Sequence, residues 1–129
     1  MSNKRIITTN KAPAAIGPYS IANQWGNLVF TAGQLGLDPE TNEFVQGGIE
    51  EQTRQALSNV KNILEAAGTS LENVLKTTVF LQDMGDFIKM NGVYQEFFKE
   101  SFPARSAVEV AALPKGGLVE IEAVAGVSE

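Results

Sequence analysis

Two runs near the end of the chain, residues 105–113 and 118–124, alternate apolar and other side chains, and Pro114-Lys115-Gly116-Gly117 stands between them. Proline fixes one φ and glycine admits φ above zero, so these four residues read as a reversing turn between two strands. Successive strand side chains point to opposite faces, which sends Val108 and Val110, with Val119, Ile121, Ala123 and Ala125, toward a core. Arg105, Ala107, Glu109 and Ala111 then share the other face with Glu120 and Glu122. This pattern commits the C-terminal quarter to a half-buried sheet. A guanidinium and carboxylates on the small-residue face predict contact with something other than bulk water.

With Leu113 opposite Leu118, Glu120 faces Ala111 and Arg105 faces Gly126. Arg105 and Glu120 are then roughly six residues out of step, about 20 Å at about 3.3 Å per residue, and cannot touch within one hairpin. If they share a site, they reach it from neighbouring subunits.

Upstream, residues 27–34 read as a strand ending near a glycine, with weaker strand candidates at 6–9 and 20–25, and residues 38–42 (Asp-Pro-Glu-Thr-Asn) as a turn. Ile49, Ala56, Leu57, Val60, Ile63, Leu64 and Ala67 recur at helical spacing, with Gly68 as the stop. Residues 70–73 give a short turn. Residues 74–82 form a strand in which Thr77 and Val79 favour the extended state. Asp86 is the expected cap of a second helix reaching about residue 99, with Phe87, Met90, Val93, Tyr94 and Phe97 as its buried stripe. Gly92 inside it costs up to about 1 kcal/mol against Ala, which predicts that a side chain there is unwelcome. The order predicts one α+β domain over residues 1–129, a mixed β-sheet with two helices packed on one face. The other face, carrying Arg105, Ala107, Glu120 and Glu122, is too mixed for a core and too apolar for open solvent. Burial against other subunits is the economical solution.

A chain of 129 residues, 43% hydrophobic, is large enough for one core. Its net charge of −5, with the basic residues scattered, argues against a nucleic-acid partner, because phosphate binding rests on clustered Lys and Arg. No apolar segment follows Met1-Ser2-Asn3-Lys4-Arg5, and no run approaches the roughly 20 residues a bilayer needs, so no membrane partner and a cytoplasmic location are expected. The chain has neither Cys nor His. That excludes disulfides, thiol nucleophiles, Ser-His-Asp triads, imidazole bases and ordinary zinc or iron sites. Acid–base chemistry falls to Glu, Asp, Tyr, Lys, a terminus or water. Asp38, Asp83 and Asp86 form no recognisable calcium loop, so no metal is expected.

Residues 102–106 (Phe-Pro-Ala-Arg-Ser) running into Val108-Glu109-Val110-Ala111, then Leu113-Pro114-Lys115 and Val119-Glu120-Ile121-Glu122-Ala123, resemble the signature of the Rid family of reactive-intermediate deaminases. Ala14-Ala15-Ile16-Gly17-Pro18-Tyr19-Ser20, Val29-Phe30-Thr31-Ala32-Gly33-Gln34, and Asn91-Gly92-Val93-Tyr94 followed by Phe97-Phe98 agree, in the family's order along essentially the whole chain. The resemblance implies a chorismate-mutase-like homotrimer with sites between subunits. It implies hydrolysis of 2-aminoacrylate-type enamines and their 2-imino acid tautomers to 2-keto acids and ammonia, without a cofactor.

Within that frame Arg105 binds the substrate carboxylate, a task suited to a planar fork that stays charged at any working pH. The alternative for Arg105 is an ion pair with Glu109 or Glu122. Glu120 positions a water and accepts its proton, and near Arg105 it should stay ionised; otherwise it is a solvated strand carboxylate. Tyr19, following Gly17-Pro18, presents a phenol at a pocket rim or simply packs. Gly33 lets a ligand approach the backbone, or marks a bulge. Asn91 hydrogen-bonds a ligand or a neighbouring subunit, or is solvated. Family members often carry Ser at the position of Ala32 and Cys at that of Ala107, where the contact is mainly through backbone, so Ala107 could still provide it. Ala112 stands where Arg is common. These departures keep open a non-catalytic sensor of 2-keto acids or amino acids. A ribonuclease, an activity some family members are named for, is opposed by the negative charge and the lack of His.

Overall fold

The helical spacing between Ile49 and Ala67 becomes α1 (Ile49–Ala66), and every apolar residue of that series is buried. Gly68 takes φ 87 just past its end, the left-handed stop that glycine supplies without a Cβ penalty. The computed structural model describes residues 3–128; Met1 and Ser2 of the N-terminal stretch and Glu129 lie outside the described residues. The strands are β1 (Lys4–Ile7), β2 (Ala22–Trp25), β3 (Leu28–Thr31), β4 (Gln34–Leu35), β5 (Val74–Leu81), β6 (Ala104–Glu109) and β7 (Val119–Gly126), and the second helix is α2 (Phe87–Phe97). The strand read at 27–34 is thus divided into β3 and β4, and the one read at 6–9 begins earlier, at Lys4.

The strands make one mixed sheet in the order β1-β2-β3-β7-β5-β6, with β4 continuing along β7 beyond β3. All pairs are antiparallel except β5 with β6, which the α2 crossover makes parallel. Both helices cover one face, where Leu57, Ile63, Leu64, Met90 and Tyr94 meet Val29, Val79, Leu81 and Ile121 in a single core. Among the described residues no helix is long and apolar enough to cross a membrane.

The expected terminal hairpin does not form. β5 lies between β6 and β7, so Arg105 pairs with Thr77 and Glu120 with Phe80. Period-two alternation specifies which side chains share a face of one strand but not which strand lies beside it. The β-branched β5 is buried between two partners. The faces change accordingly. Val119, Ile121, Ala123 and Ala125 enter the core as expected, but Val108 is 43% exposed on the sheet's open face, and Val110 packs with Leu35, Leu37 and Leu113 in a second small cluster. Arg105, Ala107 and Glu109 pair with the core-facing Thr77, Val79 and Leu81, and so lie on the helix side. Glu120 and Glu122 pair with Phe80 and Thr78 on the open side.

Two expectations about α2 are also corrected. Asp86 accepts no capping bond; Asp83 does so one turn earlier, from the Gly85 N–H, and Glu109 Oε1 accepts the Met84 N–H at 2.8 Å. A Cβ at Gly92 would meet no atom within 4 Å, so a side chain is not unwelcome there within the protomer.

The helix–sheet junction depends on polar residues that apolar periodicity passes over. Buried Asn59 donates to the carbonyls of Leu35 and Leu37 at 3.1 and 2.9 Å, and Gln52 Oε1 accepts the Leu118 N–H at 2.9 Å. A Cβ at Gly36 would lie 2.7 Å from Gln52 Cα, so α1 sits directly on this backbone. These contacts fix the segment leaving Gly33 against the start of β7.

Candidate active site

Arg105 leaves β6 toward α2. Its Nη1 donates to Asn91 Oδ1 at 2.8 Å, and the guanidinium carbon lies 4.8 Å from the Tyr94 ring centroid and 5.4 Å from that of Phe87. Two aromatic faces and one amide therefore hold the cation, each ring contributing about 0.5–2 kcal/mol at a partly desolvated position. Tyr94 is itself fixed by a 2.7 Å hydrogen bond between its hydroxyl and Thr77 Oγ1. Burial raises the Tyr94 pKa, against the opposing effects of that bond and of the Arg105 charge. Neither Glu109 nor Glu122 pairs with Arg105, in contrast to Arg54, which pairs with Glu51 and Glu96. The guanidinium thus faces a cavity of about 300 Å³, shared with Gln95, Phe102 and Pro103, with most of its donors unclaimed.

The β6 backbone adds to this surface. Val110 donates its N–H to Leu81 at 2.9 Å, so alternation turns the N–H and C=O groups of Arg105, Ala107 and Glu109 away from β5, onto a free sheet edge. Ala107 thus presents a backbone donor and acceptor beside Arg105.

Glu120 stands on the open face, in a cavity of about 360 Å³ whose walls include Tyr19, Gly33, Leu35 and Lys115. Its carboxyl group rests on Gly33: a Cβ there would lie 2.7 Å from Glu120 Cδ and 3.0 Å from Oε2. The missing side chain serves the carboxylate first, rather than a ligand directly. Half-burial pushes the Glu120 pKa above its ordinary value of 4.5, and the like charge of Glu122 pushes in the same direction. Both effects destabilise the anion, which makes Glu120 a stronger base than a surface carboxylate. Tyr19 is half exposed at the rim, turned there by the bond from its N–H to the Gly17 carbonyl at 2.8 Å.

The six residues singled out by sequence thus fall into two separate groups. Arg105, Asn91 and Ala107 belong to one, and Glu120, Gly33 and Tyr19 to the other. Within a protomer Arg105 and Glu120 are two strands and three residues apart, about 14 Å between backbones at about 4.8 Å per strand and 3.3 Å per residue, and on opposite faces. Sequence reasoning missed Phe87 and Tyr94 as the clamp on Arg105, because their helical spacing is that of ordinary core residues. It also missed Asn42 as a wall of the Glu120 cavity. Among the described residues no group of three or more Asp and Glu gathers to hold a metal.

The family described as endoribonuclease L-PSP matches residues 9–127 of this chain. The goat protein named 2-iminobutanoate/2-iminopropanoate deaminase is 55% identical over 122 residues, which are 95% of this chain and 89% of that one. RidA from an Antarctic Psychrobacter has a crystal structure that superposes with a TM-score of 0.92 at 50% identity, covering 95% of this chain and 99% of RidA. Escherichia coli TdcF, solved with bound serine, gives 0.92 at 46% identity, covering 96% and 99% of the two chains.

Proposed function

Because this chain belongs to the endoribonuclease L-PSP family, which includes the Rid proteins and the 2-iminobutanoate/2-iminopropanoate deaminases, we propose that it hydrolyses reactive 2-imino acids and their enamine tautomers to 2-keto acids and ammonia. The observation that carries this reading is an unpaired, clamped guanidinium in one cavity and a destabilised carboxylate in another, each incomplete as a site. A homotrimer that sets the Arg105 face of one subunit against the Glu120 face of the next completes both.

In that composite pocket Arg105 holds the substrate carboxylate through paired N–H donors. Glu120 takes a proton from a water whose oxygen bonds to the imine carbon and passes it to the imine nitrogen, giving a carbinolamine; it then moves the hydroxyl proton of that carbinolamine to the nitrogen as the carbon–nitrogen bond breaks, leaving the keto acid and ammonia. Tyr19 and the Ala107 backbone close the pocket around the substrate. Imines of this kind hydrolyse in water unaided, so positioning and one proton acceptor suffice, and Ala32 and Ala107 do not deprive the pocket of either function.

The test is complementation. Arg105→Ala and Glu120→Gln are each expected to be nearly inactive. Mixed by refolding, they regain about one quarter of the wild-type rate, because random assembly pairs an intact Arg105 with an intact Glu120 at about one interface in four. No recovery in mixed trimers would overturn the shared site. Activity should also fall on the acid side as Glu120 protonates. The ionised form is the base and its pKa is raised, so this fall begins above the ordinary carboxylate range. Glu122→Gln removes the like charge and moves the acid limb of the kcat/KM profile to lower pH.

A second reading, a sensor without turnover, draws on the serine held by E. coli TdcF. Ligand binding to this protein without faster keto-acid release from a coupled dehydratase would favour it.

A further inference from the structure

A second apolar cluster, separate from the main core, stands beside Glu120. Leu35 in β4 and Phe80 in β5 are the cross-strand partners of Glu120 on either side, so the three side chains share the open face of the sheet. Leu35 is buried with Leu37 and Leu113, and Phe44, Phe80 and Val110 pack against them. The cluster is tight at its back, where a Cβ at Gly117 would lie 2.9 Å from Leu35 Cδ2 and 3.3 Å from Phe44 Cζ. Its front is open. There Leu35 and Leu37, with Ile16 and Pro114, line the cavity of about 360 Å³ that holds Glu120. Ile16 is 63% exposed, a large apolar side chain left mostly bare at that wall.

Two polar residues also border the cavity, and neither answers a polar side chain from its interior. Asn42 Oδ1 is buried out of reach, and Lys115, in left-handed backbone at φ 58, donates its Nζ to the Asn42 carbonyl at 3.0 Å. We infer that this wall is a subsite for 2-imino acids whose side chains are apolar and longer than ethyl, with Leu35, Leu37 and Ile16 as the residues that select them. An alkyl chain placed there leaves water and gains contact with the leucines, whereas the methyl group of the alanine-derived imine leaves most of the space unused. A second carboxylate would give up its hydration among leucines, beside the charge of Glu120. The cavity falls within the about 300–1,000 Å³ of small-molecule sites.

The identity of the ligand as an imine rests on the proposed deaminase activity, but the subsite is testable without turnover, because 2-keto acids carry the same carboxylate and side chain. Calorimetric titration of the whole protein with pyruvate, 2-oxobutanoate and 2-oxopentanoate should show Kd falling about fourfold with each added methylene, about fifteenfold across the series. Ile16→Ser, at an exposed position, and Leu37→Phe, which adds bulk to the wall, should each flatten the series, with melting temperature as the folding control. 5-Methyl-2-oxohexanoate should bind more tightly than 2-oxoglutarate, which matches it in shape but ends in a carboxylate. No binding of any of these acids, equal or falling affinity along the series, tighter binding of 2-oxoglutarate, or a gain per methylene that survives both variants would overturn the subsite. Hydrolysis of 2-iminopropanoate is assayed separately. Graded affinity without hydrolysis overturns the deaminase reading and leaves the subsite standing; hydrolysis with a flat series does the reverse.

Discussion

Arg105→Ala should lower kcat/KM for 2-iminopropanoate roughly 30-fold to several thousand-fold, the loss that corresponds to about 2–5 kcal/mol for truncating one partner of a desolvated, hydrogen-bonded charge pair. The wild-type guanidinium is already oriented by Asn91, Tyr94 and Phe87, so substrate does not have to order a free side chain. Arg105→Lys keeps the charge but loses both the fork and much of the ring contact, and it should fall between wild type and Ala. The measurement couples a dehydratase acting on L-serine to the purified protein and follows keto-acid release, with melting temperature as the folding control. Rates for Arg105→Ala within about threefold of wild type would remove Arg105 from substrate binding.

Gly33→Ala should be nearly as damaging to the rate while leaving the fold intact. The added methyl would come within 2.7 Å of Glu120 Cδ, and what yields is the end of a flexible side chain rather than backbone. Glu120 swings off its seat, and a displacement of about 1 Å of a catalytic group can cost about 10²-fold. Gly36→Ala provides the contrast. There the methyl would come within 2.8 Å of the Gln52 carbonyl oxygen in α1, so its effect should appear as a lowered melting temperature. If Gly33→Ala lost stability and kept its rate, Glu120 would not need the seat it occupies.

The helices were legible because their apolar residues repeat at 3.6 and a helix needs no distant partner to be recognised: Ile49 to Ala67 predicts α1 nearly to the residue. The terminal strands were legible as strands but not as neighbours. Nothing between Leu113 and Leu118 distinguishes a hairpin turn from the short turn that carries the chain past β5, because that choice is made by Thr77, Val79 and Leu81 competing for both partners. The same error placed Arg105 and Glu120 on one face. The candidate site residues were singled out by motif, but their separation onto two faces, the seating of Glu120 on Gly33 and the aromatic clamp on Arg105 arise from contacts between elements far apart in sequence. Asn42 and Lys115 gave no signal beyond turn composition, since a left-handed lysine has no sequence signature.

The free border of β6 has a consequence for handling as well as for activity. A lone protomer carries a row of unsatisfied amide groups next to exposed Phe102 and Val108, a template on which another extended chain can dock out of register. Dilution or mild acid that separates the subunits of the proposed trimer should therefore produce turbidity along with loss of rate, and a soluble carboxylate ligand held in its proposed composite pocket should suppress both.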